Sequence, residues 1–276
     1  MDGSPSGPVT NKHATIEAPE TPGLFQAERQ NKILALTSQV RRVEVSELAS
    51  RFQVTTETIR RDLSELQDQR LVRRVHGGAI VWETNVFEPL VSVRNDQHDN
   101  EKRRIARGAV AELPDSGALI IDSGSTLGRF AEVMPYDHSL RVVTNSLPIA
   151  QTLADREAIE VIVVGGKVRK NTLAMVDAEA IAAFEPITVD TLFISSDGLS
   201  AEQGLTTPYR EEARLKRAMI SSARRVVALI DHSKFGHNQF IRFAQWSDID
   251  VLITNTEVNP ADVAAIEALG TTVVLT

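Results

Sequence analysis

Seven short apolar runs beyond residue 117 fix most of what the chain can become. They are Ala118-Leu119-Ile120-Ile121, Leu140-Arg141-Val142-Val143, Val161-Ile162-Val163-Val164, Leu192-Phe193-Ile194, Val226 to Ile230, Val251-Leu252-Ile253 and Val273-Val274-Leu275. Short, mostly β-branched runs of this kind read as strands buried on both faces. Between many of them lie stretches with helical spacing: Leu147 to Ala154, Ala178 to Phe184, Glu211 to Ser222 and Ala261 to Leu269. Strands alternating with helices predict an α/β domain of Rossmann-like class with a parallel sheet. A preceding helix is expected from a cap at Asn100 through Leu113, with Ile105, Ala109 and Leu113 facing inward, ended by Pro114-Asp115-Ser116-Gly117.

The front of the chain follows a different pattern. Thr55 is a ready N-cap for a helix through Leu66, on which Ile59, Leu63 and Leu66 gather on one side. Glu57, Arg61 and Ser64 fall opposite, flanked by Thr58 and Arg60, so one face packs and the other is free. Upstream, Glu47 to Phe52 reads as a short helix with Leu48, Ala49 and Phe52 inward, and only Gln53 and Val54 separate it from the cap. Two helices joined so tightly make a helix-turn-helix, whose second helix suits the major groove of DNA. A first helix over Glu28 to Thr37 braces them. Downstream, Leu71 to Val81 reads as a hairpin about a Gly77-Gly78 turn signal, tipped by His76 and edged by Arg73 and Arg74, which would be a wing. An arginine pair on a helix is ordinarily a solvated face, but the capped helix and basic hairpin together favour DNA contact.

A chain of 276 residues has room for about two domains. The boundaries expected are a disordered tail over 1–25, a winged helix-turn-helix over 26–81, a linker over 82–100 without clear period, and an α/β domain over 101–276. Cysteine is absent, which excludes disulfides and thiolate chemistry. No signal core or membrane-length apolar run is present, so a cytoplasmic protein is expected. The net charge of −7 argues at first against a nucleic-acid partner. Its distribution reverses that, because in residues 28 to 78 the bases, among them Arg29, Arg41, Arg42, Arg60, Arg61, Arg70, Arg73 and Arg74, outnumber the acids. A basic reader on an acidic body should bind DNA in a strongly salt-dependent way.

In open α/β sheets ligands sit beyond the carboxyl ends of the strands, and the residues there are small and polar. They are Asp122-Ser123-Gly124-Ser125-Thr126, Thr144-Asn145-Ser146, Gly165-Gly166-Lys167, Ser195-Ser196-Asp197-Gly198 and Asp231-His232-Ser233-Lys234. Gly124, Ser125 and Thr126 lead into a helix whose positive end favours an anion such as phosphate. A Ser/Thr cluster before a helix is more often a cap, and for this turn alone the cap is favoured. Lys234 could add counter-charge, Asn145 and Asp197 could bind sugar hydroxyls, and Gly165 and Gly166 could form a second wall. Each also has a structural reading as a turn, cap or exposed residue. Their convergence on one sheet edge points to a small phosphorylated polyol or sugar.

Residues 28 to 80, with Thr58-Ile59-Arg60-Arg61-Asp62-Leu63 and His76-Gly77-Gly78-Ala79, resemble the winged helix of the DeoR family of bacterial transcriptional regulators. Lys102-Arg103-Arg104-Ile105-Ala106, Asp122 to Thr126, Thr144 to Ser146, Asp197-Gly198, Gly204-Leu205-Thr206, Glu211-Glu212 with Lys216, and Asp231 to Gly236 resemble that family's effector domain. The resemblance implies a body related in fold to ribose-5-phosphate isomerase and a phosphorylated sugar as effector. It points to Thr56, Thr58, Arg60, Arg61, Arg73, Arg74, His76 and Gly77 for DNA. For effector it points to Asp122, Ser123, Gly124, Ser125, Thr126, Thr144, Asn145, Ser146, Gly165, Gly166, Asp197, Gly198, Lys216 and Lys234. Two positions depart from the family pattern, Arg70 and Asp177, where glycine is usual. Asp177 beside an anion site would oppose phosphate unless it points away, favouring a less charged ligand.

The expected function is a DNA-binding regulator, a repressor of a carbohydrate or polyol operon, without cofactor or metal. Its partners would be double-stranded operator DNA, the sugar or polyol effector, and a second copy or more in a homo-oligomer, dimer or tetramer. The alternative is a sugar-phosphate isomerase with an accessory DNA-binding domain, using Asp197, Glu212 and Lys216. Against it, Glu212 and Lys216 are four apart on a helix and can pair with each other, and the isomerase's glycine-rich lysine loop is missing. A winged domain used only for protein contact is a third class.

Overall fold

Helical spacing at the front of the chain produces α1 (Gln26–Val40), then a short strand β1 (Arg42–Glu44), α2 (Val45–Phe52) and α3 (Thr56–Asp68). The hairpin β2 (Val72–Val75) and β3 (Gly78–Val81) closes the unit, with β3 central in a sheet of order β1-β3-β2. Leu48 and Phe52 from α2, Ile59, Leu63 and Leu66 from α3, Ile33 and Leu34 from α1, and Val43, Val72 and Ala79 from the sheet form one buried core. Complete burial of side chains this size contributes ~1.5–3 kcal/mol each, which sets the orientation of α3 far more firmly than its surface charges can. Gln53 ends α2 in the left-handed region, φ 52°, and sends its N–H back to the helix carbonyls, making the tight turn.

The hairpin turn differs from the Gly-Gly turn expected. His76 and Gly77 form it, Gly77 at φ 80°, while Gly78 is already in β3, paired with Val75 and Glu44. A Cβ on Gly78 would fall 1.9 Å from the Val43 carbonyl oxygen, so this glycine exists for the close approach of β1.

The computed structural model describes residues 25–40, 42–68, 71–81 and 91–276. They form two compact units, one within residues 1–89 and one within 90–276. The expectations for the tail, Phe25 apart, for Arg41 and Arg70, and for the linker up to residue 90 lie outside the described residues. The second half of that linker is not aperiodic chain but helix, α4 (Val91–Asp96), followed by α5 (Asp99–Ala109), which starts one residue before the expected Asn100 cap and ends in a 3-10 turn. Six residues are too few to show a period. Tertiary bonds hold them instead: Lys102 Nζ donates to the carbonyls of Arg94 (2.5 Å) and Gln97 (2.6 Å).

The body then runs β4 (Ser116–Ile121), α6 (Ser125–Val133), β5 (Ser139–Thr144), α7 (Leu147–Leu153) and β6 (Ile159–Val163). A small hairpin, β7 (Val168–Arg169) and β8 (Ala174–Met175), precedes α8 (Ala178–Phe184) and β9 (Val189–Ile194). Next come β10 (Gly198–Ser200), β11 (Gly204–Thr207), α9 (Arg210–Ser221), β12 (Ala223–Leu229), β13 (Ile241–Ala244), β14 (Val251–Thr254), α10 (Pro260–Glu267) and β15 (Thr272–Leu275). All seven expected strands lie in one parallel sheet of order β15-β14-β12-β9-β4-β5-β6. Alternation divides the core: Leu119 and Ile121 pack under α5, α6 and α7, whereas Ile120 packs with Phe184 of α8 and Leu215 and Met219 of α9. Chain order reverses between β4 and β9, so a crevice for ligand belongs at the carboxyl ends of these two strands. β10, β11 and β13 form a separate antiparallel sheet, which carries Thr206 and Thr207.

Candidate functional site

In the amino-terminal unit the cap sets the site. Thr55 Oγ1 accepts the Thr58 N–H at 3.1 Å and shares a hydrogen bond with Thr58 Oγ1 at 2.8 Å. The Thr58 hydroxyl is therefore engaged in the cap, while Thr56 is exposed. Asp62 is buried and held by Arg29, at 2.5 Å to Nε and 3.1 Å to Nη2, which locks α1 to α3. Arg60 and Arg61 stand outward, 54 % and 80 % exposed, in loose pairs with Glu57 (3.3 Å) and Glu65 (3.5 Å). Exposed pairs are worth ~0–1 kcal/mol, so both guanidiniums can exchange these partners for phosphate or base edges. On the wing, Arg73, Arg74, His76 and Gly77 are exposed. Arg74 also staples the wing to α3: its Nη1 donates to Ser64 Oγ at 2.7 Å and its backbone N–H to Gln67 Oε1 at 2.9 Å.

In the body, β4 delivers Asp122 to the sheet's reversal point. It is buried, and Lys216 Nζ on α9 donates to its carboxylate and, at 3.0 Å, to the Ser195 carbonyl. Burial works against the Lys216 charge, but Asp122, Glu212 and Asp197 outweigh it and hold the ammonium above the ordinary lysine range. The expected Glu212–Lys216 pair is thus replaced by a bond across the fold. Glu212 instead meets Arg169 at 3.1 Å and Thr207 Oγ1 at 3.0 Å. Burial first, then the Asp197 charge, pushes the Glu212 carboxyl up. Asp197 goes the other way: burial opposes its charge, but Arg94, Lys216 and Lys234 pull it down. Thr207 Oγ1 lies 3.0 Å from both acids and, having one proton, can donate to either of them.

Ser123, Ser125 and Thr126 are buried beside Asp122, but none of them caps α6. The N-cap is Gly124, at φ 140°, with no side-chain hydrogen bond to the helix, which corrects the reading of this turn as an ordinary Ser/Thr cap. A Cβ at Gly124 would sit 4.0 Å from Ser195 Cβ, so the α6 start faces the loop after β9. Thr144 Oγ1 accepts the Ser146 N–H and Ser146 Oγ accepts that of Ile149, so these two side chains shape the start of α7. Asn145 is buried and donates through Nδ2 to the Met175 carbonyl, leaving its Oδ1 without a partner. Lys234 lies half-buried in a 3-10 turn after Asp231.

Three expectations at this edge need correction. Asp177 does not face an anion site as a free charge: it caps α8, accepting the N–H groups of Ala180 (3.1 Å) and Lys167 (2.9 Å). Those backbone bonds hold its carboxyl below the usual range. Gly166, at φ 126°, packs against it, since a Cβ there would meet Asp177 Oδ1 at 2.4 Å. Gly198 is not offered to a ligand: its carbonyl accepts from Ser196 and Thr206, and a Cβ would fall 1.6 Å from the His237 carbonyl oxygen. Residues the sequence reading left out also converge here. Arg94 of α4 reaches Asp197 at 3.4 Å, and Arg169 stacks 3.5 Å from the centre of the Tyr209 ring. Neither carries a local sequence signal. Two shallow clefts, around Arg225 and Asp250 and around Arg141 and Glu160, lie at the opposite, amino-terminal edge of the sheet, away from this polar cluster.

Residues 29–85 match the DeoR-like helix-turn-helix domain and residues 97–256 the DeoR C terminal sensor domain. The HTH-type transcriptional regulator GlpR of Haloferax volcanii is 36% identical over 91% of this chain and 98% of that protein. The chain belongs to the DeoR family. The glycerol-3-phosphate regulon repressor of Escherichia coli K12 is 33% identical over 88% of this chain and 95% of its own length. The HTH-type transcriptional repressor GlcR of Bacillus subtilis is 33% identical over 86% and 92%. These relatives are named as regulators, not enzymes, and the chain is accordingly a transcriptional regulator with a sensor domain. Ribose 5 phosphate isomerase A from Neisseria gonorrhoeae aligns with a TM-score of 0.37 at 18% identity, covering 50% of this chain and 54% of that one. No helix among the described residues is long and apolar enough to cross a membrane.

Proposed function

We propose that this DeoR-family protein represses a carbohydrate or polyol operon by binding operator DNA as a homo-oligomer, and that a small phosphorylated sugar or polyol controls the binding. α3 enters the major groove with Thr56, Arg60 and Arg61 outermost, and the wing residues Arg73, Arg74, His76 and Gly77 track the backbone. Each copy reads one half-site, so a symmetric assembly engages a repeated operator.

One observation carries the sensor half: the start of α6, uncapped by any side chain, lies at the reversal point of the sheet among buried Ser123, Ser125, Thr126 and the Lys216–Asp122 pair. Unpaired N–H groups at a helix start, with small residues around them, suit a phosphate. The Asn145 Oδ1, a buried acceptor without a donor, suits a ligand hydroxyl. Asp197 and Lys234 complete the wall on the far side. The glycerol-3-phosphate name of one relative makes three-carbon phosphates the first compounds to try.

The test is a thermal-shift screen of the full chain with phosphorylated sugars and polyols. A compound present at a hundred times its Kd stabilises the folded state by ~2.7 kcal/mol. For a unit of this size that is a rise of about 5–10 °C in its melting transition. A panel in which free sugars shift the transition and their phosphates do not would refute the anionic effector.

A further inference from the structure

α4 is the first described element after the wing, and it places a cation in the sensor crevice. Arg94 Nη2 stands 3.4 Å from Asp197 Oδ1, and the two side chains keep 14% and 18% of their exposure. That pair is longer than the Arg29–Asp62 bond and more exposed than the Lys216–Asp122 pair behind it. The rest of α4 is tied to the same crevice. Lys102 of α5 holds its terminal carbonyls, and Arg129 of α6 donates to the Asn95 carbonyl at 3.4 Å while also bonding Asp99 at 2.6 Å. α6 therefore bonds the α4 carbonyl of Asn95 through Arg129 at its middle and offers its open start to the crevice.

We propose that Arg94 is an effector-binding residue and the coupling element of the sensor: on binding, its guanidinium moves from Asp197 to the anionic group of the ligand, carrying α4 with it. This rests on the reading of the crevice as a phosphate-ester site. A phosphate offers more charge and more acceptor oxygens than the Asp197 carboxylate, and a guanidinium matches it in a two-point fork. Ligand thereby acts on two arrangements of α4, with Arg94 on Asp197 or on phosphate, and can bias DNA binding through the difference.

The experiment titrates the full chain with sn-glycerol 3-phosphate and with inorganic phosphate, which has no hydroxyl-bearing carbons, comparing wild type with Arg94→Gln, Arg94→Lys and Asp197→Asn. Loss of a charge-assisted bond predicts about a ten- to hundredfold weaker ester for Arg94→Gln, with partial recovery in Arg94→Lys. Asp197→Asn removes the carboxylate that competes with phosphate for the guanidinium, so inorganic phosphate should bind more tightly, the opposite sign. A purely structural Arg94–Asp197 pair predicts instead that both neutral variants weaken alike, and that result, or unchanged affinity in Arg94→Gln, overturns the inference alone. If wild type binds neither probe, the phosphate-ester reading of the crevice fails and this inference with it. On a duplex selected from random sequence, Arg94→Gln saturated with the ester should keep the DNA affinity of its ligand-free form; a shift equal to wild type would overturn the coupling role.

Discussion

Replacing Lys216 with methionine tests whether the buried cluster is held together as its geometry requires. The Lys216 and Asp122 side chains are 6% and 1% exposed, and the ammonium also faces Glu212 and Asp197. Removing the cation leaves three crowded carboxylates, with Arg94, Arg169 and Lys234 as the cations still facing them. Breaking a buried pair from one side costs ~3–5 kcal/mol, because the remaining charge stays desolvated. At ~2–4 °C per kcal/mol for a unit this size, the melting transition should fall by roughly 6–20 °C. Asp122→Asn should cost less, since Lys216 keeps its other two acids. The double variant, Lys216→Met with Asp122→Asn, should be more stable than Lys216→Met alone. Circular dichroism melts and urea titrations of the four chains give the cycle. A Lys216→Met melt within about 2 °C of wild type, or a double variant that loses the sum of the singles, would refute the reasoning.

Three further outcomes follow from particular positions. Gly78→Ala should abolish the wing and with it DNA binding, because its Cβ collides with the Val43 carbonyl, whereas Gly77→Ala, with open space around it but φ 80°, should cost only ~1 kcal/mol; equal effects in a melt would contradict this. Asp177→Ala should lower the melting transition slightly as a lost helix cap without strengthening phosphate binding, and a tighter ester complex would show that its charge does reach the ligand. Lys102, pushed down from 10.5 to about 8 by burial, binds fewer protons folded than unfolded across that window. Stability should therefore rise with pH from about 8 to about 10.5 relative to Lys102→Met. Parallel pH profiles for the two chains would count against a Lys102 whose affinity for its proton is lowered by burial in the native state.

The large features were legible because they are written in local pattern. Each of the seven sheet strands is an apolar run, and the Thr55 cap with Ile59, Leu63 and Leu66 specifies α3 without help from elsewhere. The misreadings share one cause, a tertiary neighbour overriding a local rule. Four-residue spacing pairs Glu212 with Lys216, but Asp122, distant in sequence, is what Lys216 meets. Gly77-Gly78 reads as a turn, yet the second glycine answers to β1. α4 and the small strands β7, β8 and β10 are too short to carry a period, so Arg94 and Arg169 could be found only from the fold. Asp177, a departure from the family pattern, reads as a misplaced charge until its two backbone partners are seen.

In the proposed function an arginine-bearing head grips DNA and a metabolite adjusts that grip. The most direct measurement is the affinity of the full chain for a duplex selected from random sequence, followed over a range of KCl, with and without glycerol 3-phosphate, for wild type, Arg60→Ala and Arg61→Ala. Affinity should fall steeply with salt and change when the ester is added. An arginine that reads a base should lose ~1–3 kcal/mol on the selected site alone, and one that anchors phosphate should flatten the salt slope on selected and scrambled duplexes alike. Salt-independent binding, unaffected by either substitution, would contradict it.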